Sequence, residues 1–227
     1  MKNKKRRIGI TLRIENIQKY DEKRDAISHE WVRLIEKLNM IPIFIPNTLN
    51  DAKLFVEELE LDGLILSGGD NKGDDELRDK TENALIEFGI QNKIPILGIC
   101  RGMQVINDYF GGTLMVTKNN EHVNKNHEII ITDKKIEEKL EFKEKKVNSY
   151  HHNIILEKNL GKGLESFAKT IDNTIEGFLH KEFPMIGIMW HPERNKNLET
   201  EMKFMKMFSE LKIDWNIMKV IILAAGE

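Results

Sequence analysis

Short apolar runs alternate with amphipathic stretches through the first half of this 227-residue chain. The runs "RIGITL", "IPIFIP", "DGLILS" and "IPILGI" have the length of strands and are apolar through their centres. Helix-like stretches lie between them, and "EKRDAISHEWVRLIEKL" spaces its apolar side chains at helical intervals: Ala26, Trp31, Leu34, Ile35 and Leu38. Apolar strands that alternate with helices predict a parallel sheet covered on both sides. We therefore expect an α/β fold with an open, mostly parallel sheet and helices on both faces.

After "GGTLMV", short strand-like segments replace this alternation. "HEIIIT", "VNSYHHNII", "SFAKTI" and "TIEGFLH" predict added antiparallel strands, and Asp172-Asn173 is typical of a hairpin turn. "FPMIGIMW" predicts a last buried strand, and "LETEMKFMKMFSEL" predicts a closing helix. We interpret the polar "TKNNEHVNKNH" as a loop near the functional site and "DKKIEEKLEFKEKK" as a solvated face. Residues 1–213 are expected to form one domain, followed by a tail at 214–227.

The composition argues against several classes of function. A formal net charge of −2 and 40% hydrophobic residues indicate a globular protein without a polyanion-binding surface, so we expect no nucleic-acid partner. The basic start "KNKKRR" leads directly into the first strand, and we interpret it as a solvated leader. No apolar stretch reaches the roughly 18–20 residues that span a bilayer, so no membrane association is expected. A single cysteine cannot form an internal disulfide, which fits a cytoplasmic location.

The one cysteine, Cys100, lies in "GICRG", between an apolar run and a helix-like stretch. Gly98 and Gly102 flank it in the pattern of a nucleophile elbow, a strand-to-helix turn so tight that it leaves no room for neighbouring side chains. Such a turn places the sulfur at a helix N-terminus, whose dipole favours the thiolate. On this stretch alone, a small buried core cysteine is an equal alternative.

The second half of the chain contains a matching base. "GIMWHPE" puts His191 at the C-terminal end of an apolar strand, where open α/β sheets carry their sites. Glu193 follows two residues later and can orient the imidazole, which predicts a Cys-His-Glu relay with Cys100. The strand "LDGLILS" is followed by two glycines, where backbone N–H groups are unobstructed. The N–H groups of Gly69 and Arg101 are therefore candidates for an oxyanion hole.

The motifs "SGGD", "PILGICRGMQVIN", "GGTL", "VNSYHH" and "GIMWHPE", in this order, resemble the class I glutamine amidotransferase-like superfamily over roughly residues 7–211. The sequence is most similar to the γ-glutamyl-γ-aminobutyrate hydrolase branch. That branch has an arginine after the nucleophile and an "RDxxE" helix, seen here as Arg78, Asp79 and Glu82. The resemblance implies a cysteine hydrolase that cleaves γ-glutamyl amide bonds, a reaction that requires no cofactor.

The resemblance also implies the roles of individual residues. It makes Cys100 the nucleophile, His191 the base and acid, and Glu193 the group that orients the imidazole. It assigns the glutamyl group of a small-molecule substrate to four further residues: Gln104, Ser149, Tyr150 and His151. The branch often continues its second motif as "HHQ", whereas Asn153 stands at that position here. This departure falls on the leaving-group side of the expected site.

Several histidines raise the question of a metal site: His122, His127, His151 and His152. Adjacent residues of a strand point to opposite faces, and zinc prefers a closed set of thiolate or imidazole ligands. We therefore expect no metal.

The tail "MKVIILAAGE" resembles the first strand and phosphate-binding turn of nucleotidyltransferases, which run "LAAGxGxR". A simple apolar C-terminal strand is the alternative. The resemblance suggests a nucleotidyltransferase as a functional neighbour, and a nucleotide-linked substrate such as γ-glutamyl-CDP-amidate in capsule phosphoramidate synthesis. Such a substrate predicts a wide cleft outside the cysteine, with these candidates for its phosphates: Arg13, Lys19, Arg24 and the loop Lys118–Asn126.

Three other functions remain open at this point. A hydrolase of γ-glutamyl-γ-aminobutyrate in polyamine catabolism and a glutaminase subunit that passes ammonia to a synthetase would use the same chemistry. A redox sensor on the same fold would use Cys100 as an oxidation switch. A sensor does not require His191 and Glu193, so the complete set of three residues favours a hydrolase.

Overall fold

The computed structural model describes residues 4–117, 123–195, 199 and 201–208. Its strands are, in chain order, β1 Arg7–Thr11, β2 Arg13–Ile17, β3 Glu22–Ala26, β4 Ile41–Ile45, β5 Gly63–Leu66, β6 Ile96–Ile99, β7 Met115–Val116, β8 Val123–Ile131, β9 Glu144–Tyr150, β10 Asn153–Ile154, β11 Leu164–Lys169, β12 Ile175–His180 and β13 Met185–Ile188. Its helices are α1 His29–Lys37, α2 Ala52–Glu58, α3 Glu76–Asn92, α4 Arg101–Tyr109 and α5 Lys134–Leu140. Residues 201–208 are also helical.

One nine-stranded sheet forms the centre of the fold, in the order β4-β1-β5-β6-β13-β12-β11-β8-β9. Strands β4, β1, β5, β6 and β13 pair in parallel. Strands β12, β11, β8 and β9 continue the same sheet as antiparallel neighbours. β5 and β6 are buried along their whole length, so both faces of the sheet are covered there. The predicted α/β fold, a parallel sheet with added antiparallel strands, is confirmed.

The parallel pairing of β6 with β13 positions the candidate site. Gly98 lies opposite Gly187, and Ile99 lies opposite Ile188. Because the strands are parallel, their carboxyl ends lie at the same edge of the sheet. Cys100 follows β6 directly, and His191 follows β13 three residues on. The strand register therefore brings together two residues that are far apart in the sequence.

The predicted helix that begins at Glu22 is wrong in its first part. β2 and β3 pair as an antiparallel hairpin, with Arg13 opposite Ala26, and α1 begins only at His29. The side chains of β3 are mostly exposed and offer no apolar face to the core. A helix here would have no apolar side chains to pack on the core, and the backbone pairs with β2 instead. The later part of the prediction is correct, since α1 buries the predicted residues Trp31, Leu34 and Ile35.

Two polar segments are more ordered than their composition predicts. The stretch interpreted as a loop contributes residues 123–127 to β8, and residues 118–122 lie outside the described residues. The stretch interpreted as a solvated face contains α5, which buries Ile136 and Leu140, and the start of β9. In the second segment the apolar side chains of α5 pack on the core, and in the first the backbone pairs with β9, so tertiary contacts override the local polarity.

The hairpin predicted at Asp172-Asn173 is confirmed. It joins β11 to β12, and Asn173 takes the left-handed conformation with a φ of 64°. The predicted closing helix is present over the described residues 201–208. Within the described ranges, no helix is long and apolar enough to cross a membrane. The tail at 214–227 lies outside the described residues, so the division at residue 213 stays a prediction.

Candidate active site

Cys100 lies in a strained turn between β6 and α4. Its φ of 50° and ψ of −101° are outside the regions that L-residues prefer, and its N–H donates to the carbonyl of Ile188 at 2.8 Å. A Cβ on Gly98 would lie 2.6 Å from the carbonyl carbon of Gly102. A Cβ on Gly102 would lie 2.0 Å from the carbonyl oxygen of Leu66. Only glycine fits at both positions, so the turn has the geometry expected of a nucleophile elbow.

His191 is held by contacts to its ring and to its backbone. Its Nδ1 lies 2.7 Å from Oε1 of Glu193, and both side chains are buried. Asn148 accepts from the backbone N–H of His191 at 2.9 Å and donates to its carbonyl at 2.8 Å. The side chain of Cys100 lies close enough to the ring to act on its protonation. A Cβ on Gly68 would lie 2.6 Å from Cε1 of His191 and 3.5 Å from Cβ of Cys100, so glycine is needed there as well.

The electrostatics of His191 follow from these contacts. Burial lowers the pKa of His191, but the hydrogen bonds to Cys100 and Glu193 and the charges of both groups outweigh it and raise the pKa to about 9. At neutral pH the ring is therefore an imidazolium between a sulfur and a carboxylate. Such a cation stabilises negative charge on the sulfur and holds a proton ready for transfer.

The loop after β5 contains the predicted glycine pair. Gly69 has a φ of 116°, a conformation that strongly favours glycine. Nη2 of Arg78 donates to the carbonyl oxygens of Ser67 at 2.9 Å and Gly68 at 3.0 Å. In a trans peptide the C=O and N–H point in opposite directions. The peptide that joins Gly68 to Gly69 therefore directs its N–H away from Arg78.

The "RDxxE" residues form a buried charge network with Arg101. The side chain of Arg101 makes ion pairs with Glu82 and Asp79. Glu82 also receives Nε of Arg78 at 3.2 Å and the hydroxyl of Thr11 at 2.8 Å. The residue after the candidate nucleophile is thus linked through Glu82 to the arginine that holds the glycine loop.

Gln104 lies one turn into α4 and is buried. Its Nε2 is 3.7 Å from the sulfur of Met189, and its Oε1 is 3.5 Å from Nδ2 of Asn153. Asn153 also donates to Oδ1 of Asn71 at 3.3 Å. The residue that departs from the branch pattern is therefore a direct neighbour of a predicted substrate-binding residue.

The segment from Ser149 to His151 divides between two environments. The ring of Tyr150 lies edge-on to His191, with ring centroids 5.7 Å apart. Ser149 is buried on β9, and His151 is buried with its Nε2 facing a carboxylate oxygen of Glu176 at 3.4 Å. Tyr150 therefore belongs to the surroundings of the candidate site, whereas the ring of His151 faces Glu176.

The profile of the Peptidase C26 family matches residues 7–193, a range that contains Cys100, His191 and Glu193. This chain belongs to the Peptidase C26 family. The likeness to glutamine amidotransferases, recognised above from five short motifs, is thereby confirmed.

Relatives within and around the C26 family fit this assignment. The chain is 34% identical over 212 residues to the gamma-glutamyl-CDP-amidate hydrolase of Campylobacter jejuni subsp. jejuni serotype O:2, covering 90% of this chain and 98% of that protein. It is 28% identical over 165 residues to one subunit of the glutamine-hydrolyzing GMP synthase of Methanococcus aeolicus, covering 73% of this chain and 81% of that protein. A solved glutamine amidotransferase of Thermotoga maritima shares the fold, with a TM-score of 0.64 and 17% identity over 99% of this chain and 91% of that one.

The sequence motifs did not identify two residues that lie at the candidate active site. Asn148 brackets the backbone of His191, as described above, and Arg194 follows Glu193 directly. The guanidinium of Arg194 lies 4.6 Å from the ring centroid of Tyr150, and its Nε is 3.6 Å from Glu193. Both residues adjoin predicted site residues in the sequence, and this adjacency is the signal that could have identified them.

The cationic candidates occupy different surroundings. Arg13 and Arg194 line a cavity of about 20 Å³ beside the imidazole. Arg24 is paired with a glutamate on its own strand at 2.9 Å, and Nζ of Lys19 lies 5.2 Å from a tyrosine ring centroid. The polar loop includes residues 118–122, which lie outside the described residues. The wide cleft expected outside Cys100 stays a prediction.

Proposed function

We propose that this chain is a cysteine hydrolase that cleaves a γ-glutamyl amide bond. The sulfur of Cys100 attacks the γ-carbonyl carbon and forms a C–S bond, while the carbonyl electrons move to the oxygen. When the intermediate collapses, the C–N bond breaks and His191 gives its proton to the leaving nitrogen. The neutral imidazole then takes a proton from water, whose oxygen attacks the thioester. The C–S bond then breaks, which releases glutamate and restores the thiolate, and the imidazolium retains the proton taken from water.

The arrangement of Cys100 beside His191, with His191 bonded to Glu193, carries this proposal. A pKa of about 9 keeps His191 protonated at neutral pH, which suits an acid that must serve a poor leaving group. Glu193 holds Nδ1 at 2.7 Å, so the proton available for transfer is the one on Nε2. A redox sensor would need only the thiol of Cys100, and neither His191 nor Glu193.

The backbone N–H groups of Gly69 and Arg101 are proposed to stabilise the oxyanion. Arg78 supports this role, because its bonds to the loop carbonyls turn the Gly69 N–H away from Arg78 itself. Arg101 is the first residue of α4, so its N–H is not used within the helix. Preorganised donors of this kind stabilise charge that develops only in the transition state.

The glutamyl group is proposed to bind beside Gln104 and Tyr150. Gln104 has a carboxamide able both to donate and to accept, and Tyr150 lies against His191. The roles that the family resemblance implies for Ser149 and His151 stay predictions. The substrate is a small molecule, and no cofactor takes part in the steps above.

We further propose that the leaving nitrogen is linked to a nucleotide, as in γ-glutamyl-CDP-amidate. The Campylobacter jejuni relative, matched over 98% of its length, supports this choice. Arg13 and Arg194 are proposed to bind the phosphates, because both lie beside the imidazole and guanidinium groups bind phosphate bidentately. Arg13 would exchange its ion pair with Glu15 for the phosphate. The nucleotidyltransferase-like tail supports a neighbouring enzyme that supplies the nucleotide-linked compound. With this substrate we propose capsule biosynthesis as the pathway and the cytoplasm as the location.

A role as the glutaminase component of a synthetase is the second candidate function. The similarity to a component of a glutamine-hydrolyzing GMP synthase favours it, since that enzyme hydrolyses glutamine. Free glutamine would then be the best substrate, and a synthetase would be required for full activity. Hydrolysis of γ-glutamyl-γ-aminobutyrate would differ only in the leaving amine.

The deciding experiment is a direct competition among γ-glutamyl-CDP-amidate, γ-glutamyl-γ-aminobutyrate and glutamine, with the protein alone. Mass spectrometry follows the loss of each substrate, because all three release the same glutamate. We expect γ-glutamyl-CDP-amidate to have the highest kcat/KM. A clear preference for γ-glutamyl-γ-aminobutyrate or glutamine would reject the nucleotide-linked substrate but retain the γ-glutamyl hydrolase. The Cys100→Ala variant, measured in parallel, sets the background rate.

A further inference from the structure

Two histidines and one glutamate meet on the antiparallel side of the sheet. His127 lies on β8, His151 follows β9, and Glu176 lies on β12. Nε2 of His127 is 3.1 Å from Oε2 of Glu176, and Nε2 of His151 is 3.4 Å from Oε1. One ligand atom from each residue lies within 4.8 Å of the others. We expected no metal because adjacent histidines on one strand point to opposite faces. His127 and His151, however, come from two neighbouring strands.

The contacts of His151 direct one ring nitrogen at Glu176. Nδ1 lies 3.0 Å from the carbonyl oxygen of Asn153, which can only accept, so Nδ1 carries a hydrogen. With Nδ1 engaged in this way, Nε2 is the ring nitrogen that faces the carboxylate of Glu176, and it is the atom placed to bind an ion.

The distances fit a metal ion. Zinc binds nitrogen and oxygen ligands at about 2.0–2.1 Å in tetrahedral geometry, which separates neighbouring ligand atoms by about 3.3 Å. The distance from Nε2 of His127 to Oε2 of Glu176 is 3.1 Å and that from Nε2 of His151 to Oε1 is 3.4 Å, both close to this value, so an ion between the two rings would contact both oxygens of the carboxylate. Imidazole and carboxylate ligands together suit Zn²⁺ and similar divalent ions. The bond from His151 to the carbonyl of Asn153 is the outer contact that orients metal-bound histidines.

We propose that His127, His151 and Glu176 bind a divalent transition-metal ion, with Zn²⁺ as the reference ion and a fourth position open to water. Glu176 is fully buried, whereas the side chain of His127 is 14% exposed and provides the route of entry. The ion would join β8 and β12 to the segment that follows β9. Asn148 and Tyr150, which both contact His191, lie on β9 just before that segment. The ion would therefore stabilise one wall of the candidate active site, whatever reaction occurs there.

The test uses the full-length chain with Cys100→Ala, because the thiol beside His191 could itself bind zinc. The protein is stripped with EDTA, then titrated with Zn²⁺ by calorimetry and with Co²⁺ by visible spectroscopy. We expect one equivalent of each ion, tetrahedral d–d bands for Co²⁺ and a higher Tm with zinc. His127→Ala should weaken zinc binding by about tenfold or more. His152→Ala, at the exposed neighbouring histidine, is the matched control and should leave the affinity unchanged.

Two results would overturn the proposal. The first is the absence of stoichiometric binding to the Cys100→Ala protein, and the second is unchanged zinc affinity in His127→Ala. Either would show that the cluster is held by protons alone. If His127→Ala does not fold, His127→Gln replaces it, because the amide preserves polarity but removes the imidazole. The same loss of affinity is then required.

Discussion

Nη2 of Arg78 lies 3.0 Å from the carbonyl oxygen of Gly68 and 2.9 Å from that of Ser67. Arg78 is fully buried and also pairs with Glu82, which in turn pairs with Arg101. The glycine loop and the elbow, which carry the two proposed oxyanion donors, are therefore joined by one buried network. An arginine that does not contact the sulfur can in this way determine how well the site stabilises charge.

Arg78→Lys tests this positioning role. Lysine keeps the charge but has a single nitrogen that cannot reproduce the planar fork of arginine. Loss of one oxyanion donor costs about 10²–10³ in kcat, so we expect kcat to fall by about 10–100-fold for partial misalignment, with little change in KM. Steady-state kinetics on a γ-glutamyl amide provide the measurement. Lys80→Ala, on the exposed side of α3, is the control and should leave kcat unchanged. If Arg78→Lys also left kcat unchanged, Arg78 would have no positioning role.

The proposed relay predicts an ordered series of losses. Cys100→Ala should abolish turnover while circular dichroism remains that of the native protein, because the substitution removes one sulfur from a glycine-framed turn. His191→Ala should be about as damaging, since members of a relay act as a unit and their effects do not add. Glu193→Ala should cost less, since it only orients the ring. If Cys100→Ala retained a substantial share of the kcat, the covalent mechanism would be wrong.

The pH dependence follows from the raised pKa of His191. As the pH rises through about 9, the ring loses the proton that the leaving nitrogen needs, so kcat/KM should fall. Glu193→Gln removes one of the groups that raise this pKa, and the alkaline limb should therefore move to lower pH. The profile is measured from about pH 7 to about pH 10. Glu182→Gln, at an exposed carboxylate away from the site, is the control and should leave the alkaline limb in place. If Glu193→Gln also left the limb in place, the assignment of that limb to His191 would be wrong.

Gln104 is expected to affect binding more than chemistry. A site for a γ-glutamyl head must satisfy the charged amino and carboxylate groups, and each buried charge left unpaired is costly. Gln104→Ala should therefore raise KM by about tenfold while kcat for breakdown of the thioester changes little. Pre-steady-state kinetics separate the two steps. An unaltered KM would place Gln104 outside the substrate site.

Arg194 tests the nucleotide part of the substrate. Its guanidinium is partly exposed beside Tyr150 and is available to a phosphate. Arg194→Ala should raise KM for γ-glutamyl-CDP-amidate by about tenfold and leave KM for γ-glutamyl-γ-aminobutyrate nearly unchanged. Arg33→Ala, at an exposed guanidinium that pairs with Glu30 on α1, is the control. Equal effects of Arg194→Ala on both substrates would argue against phosphate binding there.

The sequence by itself determined the α/β class, the elbow at Cys100 and the position of His191 with Glu193. These features have local causes. Apolar runs of strand length, glycines on both sides of a tight turn and a His-Pro-Glu segment after a buried strand all act within a few residues. That Cys100 and His191 lie at one edge also follows from the sequence, because parallel strands share the edge at which they end.

Only the tertiary structure decided which side chains from distant strands meet. Asn148 contacts His191, Arg78 contacts the glycine loop, and His127 contacts Glu176 because strand register and crossing order place them together. A shift of one residue in register would turn each strand residue to the opposite face. No local pattern specifies that register. The same reason explains why residues 22–26 form a strand, since their pairing with β2 outweighs a helix-like spacing that has no core to bury against.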